Sequence, residues 1–177
     1  MKDKVKQGFS LVEVMISVAV FTIVLGAIHQ IFVSGQKTWD SDLNLLDLQQ
    51  TVRRGLYSAT RELRAASLAG ITIPAGCDHL SSPENCNQIT FNIPSESNIQ
   101  FLHDNLTNQL IRQDASGGQR ILASNITNAY FCCSHGDGNC GCSATYDILE
   151  IQLQAEKTSW GRNLNFALRT KLKVRND

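Results

Sequence analysis

Proline is scarce in this sequence, and its positions limit where a helix can be interrupted. The chain of 177 residues has three prolines, and the first of them is Pro74. Proline breaks the interior of a helix because it lacks the backbone N–H and its ring clashes with the preceding turn. The segment before Pro74 therefore contains no proline that would stop a long helix.

The sequence also lacks an excess of charge of either sign. Lysine and arginine together number 16, and aspartate and glutamate together number 16. Without Lys2, Lys4, Lys6 and Asp3, which lie near the N-terminus, 13 basic and 15 acidic side chains remain. A nearly neutral chain has no overall field that would attract nucleic acid or an acidic partner. Nucleic acid is therefore not the expected partner.

Motifs of the common enzyme classes are absent as well. The sequence contains no nucleophile elbow, no P-loop and no zinc-protease motif. Its four histidines, His29, His79, His103 and His135, are not paired in the sequence with a serine or cysteine nucleophile. We therefore predict that the protein is not an enzyme and that it has no cofactor and no metal site.

One long stretch lacks charge altogether. Val14 to Val33 is a run of 20 residues without a charged side chain. As a helix it would be about 30 Å long, which matches the hydrocarbon core of a bilayer. The lysine-rich segment before it places that end of the span in the cytoplasm. The sequence therefore predicts a single membrane span with a cytoplasmic N-terminus.

The boundary before this span is not that of a secretory signal peptide. Such a signal has its small-residue cleavage site after the apolar region, whereas Gly8 lies before the apolar run. Cleavage at Gly8 would remove the charged leader and keep the membrane helix. The chain has a basic leader, a Gly8-Phe9 junction, Glu13 as the fifth residue after the junction, and then the apolar run. This order resembles the signal of type IV pilins and of the pseudopilins of type II secretion.

The resemblance implies a processing step and a set of partners. In that family a membrane prepilin peptidase cleaves after the glycine and methylates the new N-terminal residue. The implied leader is 1–8, the cut falls between Gly8 and Phe9, and Phe9 becomes N-methylated. Other implied partners are membrane lipid, other minor pilins, the major pilin and the inner-membrane assembly platform. The implied location is the inner membrane with a periplasmic head, and then the extracellular pilus.

Glu13 has two interpretations. A carboxylate in an apolar surrounding is costly unless it is paired, and its natural partner is an N-terminal amine, its own or that of Phe9 in a neighbouring subunit. Glu13 would then be a subunit assembly residue. The alternative is a capping box, because Ser10 and Glu13 have the S-x-x-E spacing that satisfies free amides at a helix start. A capping box does not explain the Gly8 junction or the basic leader.

The helix is predicted to continue beyond the membrane span, to about Leu68. Apolar residues at intervals of three and four predict one buried face of an amphipathic helix. This stripe consists of Leu45, Leu48, Val52, Leu56, Ala59, Leu63 and Ala66. Gly70 is the predicted stop, and Gly26 and residues 33–37 are weak points because glycine disfavours helix. We divide the helix into a transmembrane and assembly part, 9–36, and an amphipathic part, 37–70.

The remaining residues, 71–177, change to period two, which predicts a head of short strands. Alternating apolar residues predict five or six strands, among them 89–93 and 149–153, and residues 116–118 predict a hairpin turn. An antiparallel sheet with one apolar face would cover the helix stripe. The last strand's apolar face is formed by Leu164, Phe166, Leu168, Leu172 and Val174. The predicted fold class is α+β, a pilin fold whose long N-terminal helix packs on an antiparallel β-sheet head with disulfide-stapled loops.

Further segments resemble particular groups of proteins within the family. Residues 48–53 and 60–66 are similar to the helix of PilW-type minor pilins and of J-type minor pseudopilins, and residues 172–176 resemble the terminal strand of the same groups. The resemblance implies a minor type IV pilin, a structural subunit of the pilus tip or initiation complex that helps prime filament assembly. The alternatives are a J-type minor pseudopilin of a type II secretion system, and a tip adhesin or DNA-uptake pilin.

All six cysteines follow Gly76, on the predicted outer side of the membrane, where an oxidising compartment favours disulfides. Proximity in sequence favours a bridge between Cys77 and Cys86. It also favours two bridges within a cluster formed by Cys132, Cys133, Cys140 and Cys142. The vicinal pair cannot easily bond to each other, so each is expected to reach Cys140 or Cys142. The rival, a metal site of this cluster with His135, does not fit the C-x₂-C spacing of zinc sites.

Two further patterns bear on function. Major pilins often close a C-terminal loop with one disulfide, so cysteines placed elsewhere favour a specialised subunit.

On the last strand, four basic residues share one face: Arg169, Lys171, Lys173 and Arg175. Some pilins bind DNA, but no aromatic residues interleave with these charges, as a stacking groove requires. A solvated face that discourages pairing between sheet edges is the favoured interpretation.

Overall fold

The computed structural model describes residues 10–74, 77, 86–133, 140, 142 and 147–174. These residues form one long helix, α1 (Leu11–Ala65), a short 3₁₀ helix (Leu68–Gly70) and seven strands. The strands are β1 (Gln88–Ile93), β2 (Glu96–Asp104), β3 (Gln109–Gln113), β4 (Gln119–Ser124), β5 (Ile126–Cys132), β6 (Ile148–Ser159) and β7 (Arg162–Lys173). The chain divides into two compact units, Met1–Asp42 and Leu43–Asp177.

In the first unit, α1 is apolar and exposed. The helix is long and apolar enough to cross a membrane, and its most apolar stretch is not buried within the chain. Hydroxyl groups in this part are satisfied locally. Ser17 Oγ donates to the Glu13 carbonyl oxygen at 2.7 Å, and Thr22 Oγ1 donates to the Ala19 carbonyl oxygen at 2.8 Å. Because neither hydroxyl needs water, this part of α1 fits a membrane anchor.

In the second unit, α1 buries one face, as the stripe predicted. Leu45 is half-buried, and the other members of the stripe are buried: Leu48, Val52, Leu56, Ala59, Leu63 and Ala66. The helix ends at Ala65, slightly before the predicted end at Leu68. The cause is Ser67, whose extended backbone (φ −83°, ψ 145°) does not occur within an α-helix.

The head contains two antiparallel sheets where one was predicted. Strands β1 to β4 form a sheet in the order β1-β2-β3-β4, and β5 to β7 form a sheet in the order β5-β6-β7. The chain leaves the first sheet at Asn125, whose φ of 59° lies in the left-handed region that strands exclude. The Asn125 carbonyl oxygen accepts a hydrogen bond from the Glu156 N–H at 3.0 Å, which holds this turn beside β6. The α+β class is confirmed, and the prediction of one sheet is wrong.

The apolar faces of both sheets and the helix stripe form one core. The ring centroids of Phe91 and Phe101 are 4.8 Å apart, and the ring centroid of Phe101 lies 6.4 Å from that of Phe131 on β5. Aromatic packing therefore joins the two sheets. On β6 the fully buried residues alternate along the strand: Leu149, Ile151, Leu153 and Ala155. The period-two prediction for this strand is confirmed.

Two hairpin turns follow from local sequence. β3 and β4 pair across residues 116–118, as predicted, and Gly117 has a φ of 85°. The Asp114 carboxylate accepts hydrogen bonds from the Ser116 hydroxyl and from the Gly118 N–H, and these bonds lower the pKa of Asp114. β6 and β7 are joined by Trp160 and Gly161, whose φ values are 50° and 75°. Two consecutive positive φ values are typical of the type I′ turn of tight hairpins.

At Gly55, α1 lies very close to β4. A Cβ atom at this position would lie 2.7 Å from the Cβ atom of Ala123 and 3.4 Å from the carbonyl oxygen of Leu122. Real Cβ atoms do not approach each other this closely, so the site admits only glycine without a shift of the sheet. A glycine in a helix interior costs about 1 kcal/mol relative to alanine. The close packing of helix and sheet offsets that cost.

An ion-pair network also links α1 to this sheet. The Glu62 carboxylate accepts hydrogen bonds from Arg112 Nε at 2.8 Å and from Arg120 Nη2 at 3.0 Å. Arg112 also pairs with Glu96 on β2. The side chains of Glu62 and Arg112 are only 12% and 15% exposed. Because these charges are largely withdrawn from water, each depends on its partner more than a surface charge does.

We expect Gly55→Ala to destabilise the protein although alanine is the better helix former. Overpacking typically costs about 1–3 kcal/mol, which exceeds a propensity gain of about 1 kcal/mol. The matched control is Gly35→Ala, because a Cβ atom there meets nothing within 4 Å. Chemical denaturation of the detergent-solubilised protein measures both variants. Equal effects would contradict the close approach, and the double variant Gly55→Ala, Ala123→Gly is expected to recover stability.

We expect Glu62→Gln to lower the free energy of unfolding by about 2 kcal/mol, because hydrogen bonds to a charged group are lost in a largely buried place. Asp47→Asn is the matched control on the same helix. Asp47 pairs with Lys157 at 3.3 Å, but its side chain is 65% exposed, so its loss is expected to cost less than about 1 kcal/mol. The same denaturation experiment compares the two. A larger effect at Asp47 would contradict this ranking.

Candidate assembly site

The predicted processing site lies outside the described residues. Gly8 and Phe9 precede Ser10, the first residue that the structure describes. Cleavage between them and methylation of Phe9 therefore stay predictions. Helix α1 begins at Leu11, so a cut after Gly8 would leave the new N-terminus only two residues before the first turn.

Glu13 lies in the first turn of α1 with an exposed side chain. Its backbone N–H donates to the Ser10 carbonyl oxygen at 3.0 Å. Within the described part of the chain, the Glu13 carboxylate has no hydrogen-bond or ion-pair partner, and the Ser10 hydroxyl caps no amide. The capping-box interpretation therefore finds no support in these residues.

The surface around Glu13 is apolar. Large apolar side chains in the first turns of α1 are at least half exposed: Leu11, Val12, Val14, Met15, Ile16 and Val18. Exposed apolar surfaces of this extent mark contact with lipid or with protein. A single carboxylate on such a surface can direct association toward a partner that supplies a positive charge.

A second exposed surface lies on the solvent side of α1 in the second unit. Tyr57 is 70% exposed, and four arginines on this helix are exposed as well: Arg53, Arg54, Arg61 and Arg64. Among the residues that the structure describes, none of these arginines has an ion-pair partner. Tyrosine and arginine are enriched in protein interfaces. This face therefore has a composition suited to a partner that presents carboxylates.

Three disulfides staple the head. They join Cys77 to Cys86, Cys132 to Cys140, and Cys133 to Cys142. The disulfide-stapled head is thus confirmed, and the structure decides which vicinal cysteine takes Cys140. Successive residues of a strand point to opposite faces, so Cys132 packs with Tyr130 in a small cluster while Cys133 packs in the main core.

Two alternatives for cysteine and histidine chemistry can be compared with these contacts. Zinc binds cysteine as the thiolate, and the clustered cysteines are all in disulfides. His135 of the rival metal site lies outside the described residues.

His103 is buried, and its Nε2 atom lies 2.7 Å from the Ile126 carbonyl oxygen. That contact is a structural hydrogen bond between β2 and β5.

The basic strip on β7 is partly neutralised by acidic neighbours. Arg169 and Lys171 both pair with the buried Glu150 on β6, and the hydrogen bond to Glu150 raises the pKa of Arg169. Lys173 Nζ lies 3.1 Å from the Asp147 carboxylate. Arg175 lies outside the described residues. These pairs favour a solvated structural face over a phosphate-binding strip, and the sequence pattern had not identified the acidic partners.

Comparison with known proteins identifies the N-terminal segment. Residues 3–28 match the family model described as the prokaryotic N-terminal methylation motif. No curated protein and no solved structure matches the chain. The predicted resemblance is therefore confirmed at this segment. The chain carries a prokaryotic N-terminal methylation motif, and this motif, the long helix and the α+β head with antiparallel sheets together support a type IV pilin or pseudopilin.

Proposed function

We propose that the protein is a minor type IV pilin of the PilW type, a structural subunit of the pilus tip or initiation complex that helps prime filament assembly. The observation that carries this proposal is the methylation motif at residues 3–28, which extends into an exposed apolar helix. Such a surface is stable only in lipid or against other apolar surfaces. A filament subunit lies in lipid before assembly and packs against the apolar surfaces of other subunits after it.

Processing prepares the assembly site in this proposal. The prepilin peptidase removes residues 1–8 by cutting between Gly8 and Phe9, and Phe9 is then methylated. The amine of Phe9 is the positive group nearest to Glu13 in the processed sequence, and the same amine in a neighbouring subunit is equally suited to Glu13. Pairing between subunits neutralises both charges in an apolar surrounding and joins two chains. Glu13 is therefore the proposed assembly residue.

The remaining segments have different roles. Residues 9–36 anchor the chain in the inner membrane and then assemble, residues 37–70 continue the helix, and residues 71–177 form the periplasmic head. The lysine-rich leader sets a cytoplasmic N-terminus, which puts the head in an oxidising compartment where its disulfides persist. After extraction by the assembly platform, the subunit lies in the extracellular pilus.

The arginine and tyrosine face of α1 is the proposed contact with a neighbouring minor pilin or the major pilin. Arginine binds carboxylates through a planar fork of donors, and Tyr57 adds apolar area at low entropic cost. The disulfide pattern supports a specialised subunit, because major pilins often close a C-terminal loop with a single bridge. The proposed mechanism is binding and assembly, without catalysis or a cofactor.

A J-type minor pseudopilin of a type II secretion system is the second candidate. The segments 48–53 and 60–66 are compatible with it, because they resemble the helix of both groups. The two candidates differ in their partners, which are pilus subunits in one and secretion pseudopilins in the other. Co-purification of one set or the other distinguishes them. A DNA-uptake role is less favoured because acidic residues neutralise part of the basic strip.

The proposal is tested by replacing Glu13. Glu13→Ala and Glu13→Gln are expected to leave an oxidised, folded head and a membrane-inserted helix. Recovery of the other minor pilins from detergent extracts is expected to fall about tenfold or more, because loss of about 1.4 kcal/mol in association gives a tenfold change. Asp40→Asn, which removes an exposed carboxylate further along α1, is the matched control and is expected to have no effect.

Unchanged recovery with both Glu13 variants, together with an unchanged number of filaments, would contradict the assembly role. An equal loss in Asp40→Asn would show that recovery follows the total charge of the helix and not the carboxylate at position 13.

A further inference from the structure

We propose that Cys77, Cys86 and Cys140 form a thiol–disulfide exchange site in the head, at which an external thiol enters at Cys140 and changes the pairing of the sulfurs. The substrate class is a small thiol, such as glutathione, or a dithiol. The inference rests on the head alone and does not depend on the protein being a pilin.

The three sulfur atoms come from two different disulfides. The Sγ atoms of Cys77, Cys86 and Cys140 all lie within 4.8 Å of one another, although Cys140 is bonded to Cys132. The Cys140 N–H donates to the Cys77 carbonyl oxygen at 3.4 Å, which holds the two bridges side by side. The Tyr130 hydroxyl lies 3.6 Å from Cys140 Sγ. A thiolate at Cys140 would therefore face the Cys77–Cys86 bridge at short range.

Access to this site differs among its sulfurs. Cys77 is 5% exposed, and Cys86 and Cys132 are fully buried, whereas Cys140 is half-buried. The rate of thiol–disulfide exchange depends on which sulfur an attacking thiolate can reach. Among the four cysteines of these two bridges, an external thiol therefore reaches Cys140 most readily.

The reaction proceeds by successive displacements at sulfur. An external thiolate attacks Sγ of Cys140, forms a mixed disulfide there and expels the Cys132 thiolate. A second external thiolate attacks the external sulfur of this mixed disulfide, leaves as the oxidised external disulfide and expels the Cys140 thiolate. Cys140 then attacks the neighbouring bridge, bonds to Cys77 or Cys86 and expels the other. Two external thiols are oxidised, and the protein gains two thiols and their two protons.

Exchange changes which part of the chain is closed into a loop. The native bridge closes the segment between Cys77 and Cys86. After exchange, one end of that segment is joined to Cys140 and the segment is no longer closed on itself. The Cys133–Cys142 bridge provides an internal reference, because Cys133 packs in the main core and not with the three sulfurs of the exchange site.

The first test uses two matched variants of the full chain in detergent. Cys132→Ala leaves a thiol at Cys140 beside the exchange site, and Cys133→Ala leaves a thiol at Cys142. Free thiols are alkylated after denaturation at low pH and the bridges are mapped by mass spectrometry. In Cys132→Ala we expect label on Cys77 or Cys86 in roughly a tenth or more of the molecules. A tenfold ratio between the native and the exchanged pairing corresponds to about 1.4 kcal/mol. In Cys133→Ala we expect label on Cys142 only.

The second test needs no substitution and covers the case in which Cys132→Ala fails to fold. The wild-type protein is treated briefly with glutathione, quenched and mapped in the same way. We expect partly reduced molecules with Cys132 labelled and Cys140 joined to Cys77 or Cys86. Label on Cys140 alone in the folded variant, or only native bridges in the partly reduced wild type, overturns the proposal. Equal exchange in Cys133→Ala also overturns it, because it would indicate general scrambling.

Discussion

The exposed apolar surface of the first part of α1 is the constraint on which the rest of the molecule depends. The most apolar stretch of the helix is not buried within the chain. The chain alone therefore leaves a large apolar surface uncovered. Lipid satisfies this surface without specificity. A neighbouring chain satisfies it specifically if it also neutralises Glu13, because an unpaired carboxylate is costly in an apolar surrounding. One segment can therefore serve both as anchor and as assembly element.

The apolar face of the second part of α1 is buried by the rest of the same chain. Its apolar stripe is covered by two antiparallel sheets, and the approach at Gly55 and the ion pairs of Glu62 join it to the first of them. Three disulfides add covalent links within the head. All of these contacts lie within the second unit. Arginines on the opposite face of the helix are exposed.

Sequence patterns predicted the features that arise from local order. The helix stripe from Leu48 to Ala66, the alternation on β6 and the hairpin at residues 116–118 follow from period and turn chemistry. The division into two sheets was missed because it depends on the left-handed backbone of Asn125, a non-glycine residue. The role of Gly55 was missed because it depends on Ala123, which is distant in sequence. The choice between Cys140 and Cys142 likewise depends on the strand face of each vicinal cysteine.

The central claim is that this chain is processed at Gly8 and then built into a filament through its apolar helix. The most direct measurement is the intact mass of the chain recovered from sheared filaments of peptidase-competent cells. The account predicts a chain that begins at Phe9, carries an N-terminal methyl group and has lost the hydrogens of six oxidised cysteines. A chain that retains Met1, or one that stays in the membrane fraction and never enters the filaments, would contradict it.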